Sequence, residues 1–332
     1  MAMELNSIRE KIFSRELSLD EKAERIFRYQ VENNRVYQLF VDTLGFSVEQ
    51  IPATDEIPLL PVRAFKETRV VSGNVSAELH FKSSGTSDMQ PAIHEIPDPG
   101  LYRESVLKGF NHFYPCNPVI FAYTPGYSEN PHSSLIWMLK ALAEQDMSGM
   151  SRFVQAEALT DARLLAEISS SGRGLILFGA AFGLLDLLET DNLHLPDGTI
   201  VIETGGMKTH RREISRQELH ERLAGGFGLP VGQIHSEYGM CELLSQAYAK
   251  KGGFFEPVPW MKVTVRDPDD PSRICTPGEE GLIGIIDLAN IYSCAFLLTE
   301  DRGVADTSGR FRVLGRWNPD NPRGCNFLID RD

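Results

Sequence analysis

The sequence predicts an α/β protein with helix-flanked sheets and a β-rich C-terminal part. Three observations predict it. Between about residues 76 and 250, short apolar segments alternate with amphipathic ones, the pattern of helices laid on a largely parallel sheet. Before that region, residues 7–48 carry apolar side chains at three- and four-residue steps among charges, the period of helices. After about residue 255 the chain turns to short alternating runs separated by turn residues. The expected division is a helical N-terminal segment packed on the core (1–62), an α/β core with a phosphate loop (63–253) and a β-rich C-terminal subdomain (254–332).

Each element has its own signal. Ser18-Leu-Asp-Glu21 is a capping-box pattern and opens a helix. Pro52, Pro58 and Pro61 make residues 49–62 an extended connector. Val119–Tyr123 reads as a strand ending at Pro125-Gly126, and 133–145 as a helix. Gly174–Phe178 and Thr199–Glu203 read as strands, with helices over 183–189 and near 215–224. Strands are expected at 261–266, 281–287, 295–299 and 311–314. Gly226-Phe-Gly228 does not continue as a dinucleotide-binding GxGxxG loop, and there is no Walker-type or GxSxG motif.

Bulk properties narrow the function. At 332 residues the chain is long enough for a large core. A net charge of −13 argues against a nucleic-acid partner and against adsorption to an anionic membrane. No apolar run reaches the roughly 20 residues of a membrane span. The N-terminus does not read as a signal peptide, and five scattered cysteines fit reduced thiols, so a cytoplasmic protein is expected.

The candidate site begins at Phe81-Lys-Ser-Ser-Gly-Thr-Ser-Asp88, after the strand-like Glu78–Phe81. Ser83, Ser84, Thr86 and Ser87 around Gly85 supply hydroxyls and a close-approaching backbone, one way to hold a polyphosphate. Taken alone the same residues also read as an ordinary turn. Three later segments join it: Ser236-Glu-Tyr-Gly-Met-Cys-Glu242, Thr299-Glu-Asp-Arg-Gly-Val-Ala-Asp306 and Gly309-Arg-Phe-Arg-Val-Leu-Gly-Arg316. Singly, Asp301 also reads as an exposed turn, Glu242 as a helix-surface cap or ion pair, and Lys208, Arg211 and Arg212 as a solvated charge run.

In this order the four segments resemble the core motifs of the adenylate-forming superfamily of acyl-CoA synthetases, adenylation domains and luciferases. Phe81–Thr86, Glu237–Gln246 and Arg323-Gly-Cys-Asn326 bring the chain nearer to the LuxE-type acyl-protein synthetases of bacterial bioluminescence, over roughly residue 60 to the end. The resemblance implies the large-domain architecture of those enzymes without their small mobile C-terminal domain. It implies ATP and Mg²⁺ as cofactors, and a carboxylic acid, most often a fatty acid, as substrate. A further partner is an acyl-accepting protein or carrier thiol. The alternatives are a ligase that hands a small or aromatic acid to CoA or a carrier, and a nucleotide-binding homologue without turnover.

The resemblance also assigns roles. Ser83, Ser84, Gly85, Thr86 and Ser87 would cradle the β- and γ-phosphates, and Glu242 would hold Mg²⁺. Asp301 would accept both ribose hydroxyls, at about 1.5–3 kcal/mol per charged hydrogen bond. Arg316 would contact ribose or phosphate. Gly205-Gly206 would form the adenine-side turn, Tyr238, beside Gly239, would stack on the base, and Lys208 stands close enough for a phosphate contact. Tyr123–Leu135 falls where the family places its substrate-side loop and helix, and the small residues of Phe178–Gly183 read equally as a pocket lining and as helix–strand packing.

Four departures stand out. Ala92 occupies the place of the loop's phosphate-binding lysine, Asp88 adds a negative charge there, Cys241 replaces a threonine, and Glu300 replaces a glycine. Cys325, beside Arg323, matches the family's thiol nucleophile; on residue type alone it reads first as a core cysteine before Phe327-Leu-Ile329. Cys116, Cys241, Cys275 and Cys294 are expected to be packing residues.

Overall fold

The structure, a computed structural model, describes residues 2–46, 51–83, 90–126, 130–190, 193–205, 214–250 and 253–317. Three helices come first: α1 (Ala2–Lys11), α2 (Leu19–Asn33) and α3 (Arg35–Thr43). The expected capping box opens α2: the Ser18 side chain accepts the Glu21 N–H at 3.1 Å, and the Glu21 carboxylate accepts the Ser18 N–H at 2.7 Å. Asn34 then ends α2 and starts α3, its side chain accepting the Tyr37 N–H at 3.0 Å.

The connector holds a single 3₁₀ turn (Thr54–Glu56) and the short strand β1 (Leu60–Pro61). Next come α4 (Ala64–Glu67), the hairpin β2 (Leu79–Lys82) with β3 (Ile93–Ile96), and α5 (Pro99–Phe113). The alternating region follows as β4 (Val119–Tyr123), α6 (Ser134–Glu144), β5 (Arg152–Phe153), α7 (Ala162–Ser170), β6 (Leu175–Ala180) and α8 (Ala181–Thr190). It continues with β7 (Ile200–Thr204), α9 (Arg216–Phe227), β8 (Ile234–Tyr238), β9 (Ala247–Ala249) and β10 (Glu256–Pro257). The last strands are β11 (Met261–Arg266), β12 (Gly281–Asp287), β13 (Phe296–Ala305) and β14 (Phe311–Arg316). Gly226-Phe-Gly228 is the end of α9, where Gly228 takes a left-handed φ of 69° and its N–H closes the last turn.

Among the described residues β4–β10 form one seven-stranded sheet, ordered β5-β4-β6-β7-β8-β9-β10. Its strands run parallel from β5 to β8 and antiparallel beyond. Both faces are buried, and the period of two shows it. Val119 and Phe121 of β4 join Leu177, Val201, Leu219 and Leu223 in one cluster, whereas Ile120 and Ala122 join Phe178, Ile202, Phe110 and Leu139 in the other. Burial on two sides explains why β4 is a continuous apolar run and not an alternating one.

The second sheet is ordered β1-β13-β12-β11, with β14 also paired to β13. The α2–α3 hairpin clamps the turn between β12 and β13. Gln30, fully buried, donates to the carbonyls of Asn290 and Ile291 at 3.0 Å each and accepts the Ala295 N–H at 2.9 Å. Phe27, Tyr37 and Phe296 pack their rings beside it. Among the described residues no helix is long and apolar enough to cross a membrane.

Candidate active site

In a parallel sheet the C-terminal strand ends open onto a crevice, because connections leave from that edge. Here β4, β6, β7 and β8 all end on one edge, and the chain order reverses between β4 and β6, since β5 lies on one side of β4 and β6 on the other. At that switch point the backbones approach closely: a Cβ added to Gly179 would stand 2.5 Å from the Tyr123 carbonyl oxygen. Thr124, just past β4, is buried with its hydroxyl unpaired among the described residues. At the end of β7, Gly205 has a left-handed φ of 76°, which favours glycine.

The last two strands bring two sequence motifs together. Asp301 on β13 lies directly opposite Arg316 on β14, with Arg316 Nε 3.7 Å from Asp301 Oδ1. The Tyr238 hydroxyl, at the end of β8, donates to Asp301 Oδ2 at 2.8 Å. Asp301 is therefore not an exposed turn residue: it sits on a strand with a side chain only 14% exposed. Burial pushes its carboxyl up, with Arg316 and the Tyr238 hydrogen bond acting against the rise and Glu300 with it. The Tyr238 ring lies between the sheets, 5.3 Å from Phe311 and 5.8 Å from Phe255. Its hydroxyl joins the two sheets at the edge where the strands end.

Glu242 follows β8 in a turn and is 7% exposed, not on a helix surface. Burial pushes its carboxyl up to about 7; its own backbone N–H, Arg316 and Lys66 pull down, and Asp301 pushes further up. Three buried side chains distant in sequence, two on strands and one in the turn after β12, fix this turn. Asp287 accepts the N–H groups of Leu244 (2.7 Å) and Ser245 (3.0 Å) and the Ser245 hydroxyl (2.5 Å). Asn290 donates to the Glu242 carbonyl at 2.7 Å. His94 Nδ1 lies 2.8 Å from the Cys241 carbonyl, and its Nε2 lies 3.1 Å from Asn290 Oδ1. His94, Asp287 and Asn290 carry no local sequence signal; their importance comes from being buried polar groups, which must find partners.

The start and end of the first segment meet on the β2–β3 hairpin. Ser83 N–H donates to the Ala92 carbonyl at 3.0 Å, and the Ala92 N–H donates to Ser83 Oγ at 2.9 Å. Ala92 is fully buried, so this backbone position faces the core and not a ligand. Ser84, Gly85, Thr86, Ser87, Asp88, Gly206, Lys208, Arg211, Arg212, Arg323 and Cys325 lie outside the described residues. Of the remaining cysteines, Cys241, Cys275 and Cys294 are buried as expected, but Cys116 is exposed, because it stands in the turn between α5 and β4.

The neighbouring Glu237 faces inward. It accepts a short hydrogen bond from the Thr204 hydroxyl, and its carboxylate occupies the space over Gly239, where an added Cβ would stand 2.5 Å from Oε1. Burial pushes Glu237 up to about 7, opposed by the Thr204 bond and reinforced by Glu203. A raised carboxyl means that the folded state binds more protons than the unfolded chain between about pH 4.5 and 7, so stability falls as pH rises through that window. Glu237→Gln is expected to stabilise the fold by on the order of 1–3 kcal/mol at pH 8 and by little at pH 4.5. Urea unfolding at the two pH values measures this; an equal change at both would contradict it.

Among the described residues no cluster of three or more His, Cys, Asp or Glu is arranged as a metal cage. Of the two carboxylates Glu242 and Asp301, Glu242 is of the ligand type that Mg²⁺ takes together with phosphate and water oxygens.

No protein-family model matches the sequence, and no curated protein does. Solved structures share the fold. A 2-hydroxyisobutyryl-CoA ligase in complex with 2-HIB-AMP and CoA superposes with a TM-score of 0.63 at 14% identity, over 90% of this chain and 69% of that one. ATP-bound MatB from Rhodopseudomonas palustris gives 0.50 at 15% identity, over 73% of this chain and 49% of that one. The chain thus spans just over two thirds of the first and about half of the second. The α/β architecture with helix-flanked sheets and a β-rich C-terminal part is the one found in such ligases.

Proposed function

We propose that this protein activates a carboxylic acid with ATP, forming an acyl-adenylate and pyrophosphate, and then passes the acyl group to a thiol through Cys325. The observation that carries the reading is the meeting of three motifs far apart in sequence. Tyr238, Asp301 and Arg316 make one bonded cluster, and Glu242 lies within reach of its charges. The ligases that share the fold are described in complexes with an acyl-AMP and with ATP, which supports the same chemistry here.

The reaction sets two anions against each other. A carboxylate oxygen attacks the α-phosphorus, the bond from that phosphorus to the bridging oxygen breaks, and pyrophosphate leaves with the electron pair. The protein's part is to position the reactants and offset charge. Asp301, oriented by Tyr238 and Arg316, accepts from the ribose. Gly205 with Gly206 forms the adenine-side turn, and Ser83–Ser87 holds the β- and γ-phosphates. Lys208, beyond that turn, is a further phosphate contact. Glu242 would hold Mg²⁺, whose charge would offset that of the phosphates. The Tyr238 ring is packed between Phe255 and Phe311, so its contribution is the hydroxyl on Asp301 more than a stacking face. The crevice between β4 and β6, with its unpaired Thr124 hydroxyl, suits the acid's carboxylate end.

In the second step the Cys325 thiolate attacks the acyl carbonyl carbon, and AMP leaves with the electrons of the broken C–O bond. Arg323 favours the thiolate. The resemblance of Arg323-Gly-Cys-Asn326 to the LuxE-type motif supports an acyl-protein synthetase acting on a fatty acid. A second reading, transfer to CoA, has specific support in the CoA bound to the 2-hydroxyisobutyryl-CoA ligase. Incubation with ATP, Mg²⁺ and a panel of acids should give acid-dependent pyrophosphate exchange; none with any acid would refute both readings.

A further inference from the structure

The phosphate loop's usual lysine is absent at position 92, and the structure leaves no place for one there. Ala92 is fully buried and locked to Ser83 by two hydrogen bonds. A reaction between two anions still needs a cation on the phosphate side. The fold brings one from another element.

β1 runs parallel to β13, with Leu60 and Pro61 beside Leu297 and Leu298, and the Val62 N–H donates to the Leu298 carbonyl at 2.8 Å. That pairing sets α4 next to Thr299-Glu-Asp301. Lys66 on α4 reaches Glu300, with Nζ 4.0 Å from Oε2, the outer limit of an ion pair and its one ion pair among the described residues. Its charge also acts on Glu242, next in size to that of Arg316 among the cations. The element is anchored to the Glu242 turn: Phe65 packs edge-on against His94 at 5.4 Å, and His94 Nδ1 meets the Cys241 carbonyl.

Lys66 also lines a cavity of about 330 Å³ with Gln90 and Pro91, the residues that close the first motif before Ala92. The other cation on that wall is committed elsewhere. Arg69 holds Glu95 in a two-pronged pair, Nε to Oε1 at 2.8 Å and Nη2 to Oε2 at 2.6 Å. Lys66 is thus the cation of this wall without a close partner among the described residues: 27% exposed, it stands 4.0 Å from Glu300 and shares the cavity wall with Gln90 and Pro91.

We propose that Lys66 is the substrate-binding cation of the adenylation step, contacting the phosphates of ATP and of pyrophosphate in place of the lysine missing at position 92. The proposal rests on the acid-activating reading above. Lys66 stays protonated throughout; it transfers no proton and forms no bond to substrate, and its ammonium offsets charge as the pyrophosphate departs. Loss of its weak pair with Glu300 costs little, because exposed ion pairs are screened and contribute little to stability.

The test is pyrophosphate exchange by wild type, Lys66→Met, Lys66→Arg and Arg69→Met, with thermal unfolding of each. Lys66→Met should lose about 100-fold in exchange, with a raised KM for pyrophosphate and an unchanged unfolding temperature. Lys66→Arg should stay within about tenfold and Arg69→Met within about threefold of wild type. Exchange by Lys66→Met within threefold of wild type overturns the assignment while acid activation stands. Wild type without exchange overturns both. Should Lys66→Met fail to fold, Lys66→Gln is read by the same criteria.

Discussion

Glu242→Gln is expected to lower Mg²⁺-dependent pyrophosphate exchange by about 10²–10³-fold, several kcal/mol of lost charge stabilisation, without unfolding the protein. The turn that carries Glu242 is fixed by its backbone, through the Asn290 bond to the Glu242 carbonyl and the Asp287 bonds to Leu244 and Ser245. The amide therefore keeps the turn and removes only the ligating charge. The same residue gives a pH signature. With its carboxyl held up to about 7, the group is protonated below that value and cannot ligate. Apparent Mg²⁺ affinity should fall about tenfold for each pH unit below about 7 and level off above it, in titrations of exchange against Mg²⁺. In Glu242→Gln the dependence should disappear. A retained pH slope in the variant would assign the titration to another group.

Cys325→Ala should have the second large effect, and a different one. Acyl-adenylate formation does not use the thiol, so pyrophosphate exchange should continue near the wild-type level. Covalent acylation of the protein should vanish. Mass spectrometry after incubation with ATP, Mg²⁺ and acid should find the acyl group on a peptide containing Cys325 in wild type, released by hydroxylamine as thioesters are, and nowhere in the variant. Alkylation by iodoacetamide should be faster at Cys325 than at the buried Cys241, whose thiol burial pushes well up. Adenylation with no protein adduct in wild type would favour direct transfer to CoA.

These two predictions draw on different levels of legibility. Strands β4, β6 and β7 and helices α6, α8 and α9 were readable, the first two strands because burial on both faces makes them unbroken apolar runs, and Ser18 was readable as the cap of α2, whereas α7 and the short strands β5, β9 and β10 were not expected. Helix α5 was missed although Asp98 caps it and Pro99 starts it, a signal masked by the turn-like Pro99-Gly100. β13 runs to Ala305, well past the expected 299, because its charged stretch Glu300-Asp-Arg302 is held by pairing with β14 and not by apolar periodicity.

The site divides the same way. Glu242, Asp301 and Arg316 were legible as motif residues, and the hairpin places the last two across from each other. The absence of a lysine at 92 was also legible. What replaces it was not: Lys66 is an ordinary charge in sequence and gains meaning only because β1 pairs with β13. His94, Asp287 and Asn290 were invisible for a related reason. They act on the Glu242 turn from 147, 42 and 48 residues away, so only the folded chain shows what they hold.

The central claim is acid activation, and its most direct measurement is isotope exchange between pyrophosphate and ATP by the purified full chain with Mg²⁺. The account predicts exchange that needs a carboxylic acid, that is fastest with long-chain acids and that is lost with EDTA. Exchange at background with every acid, in protein that still unfolds cooperatively, would contradict it.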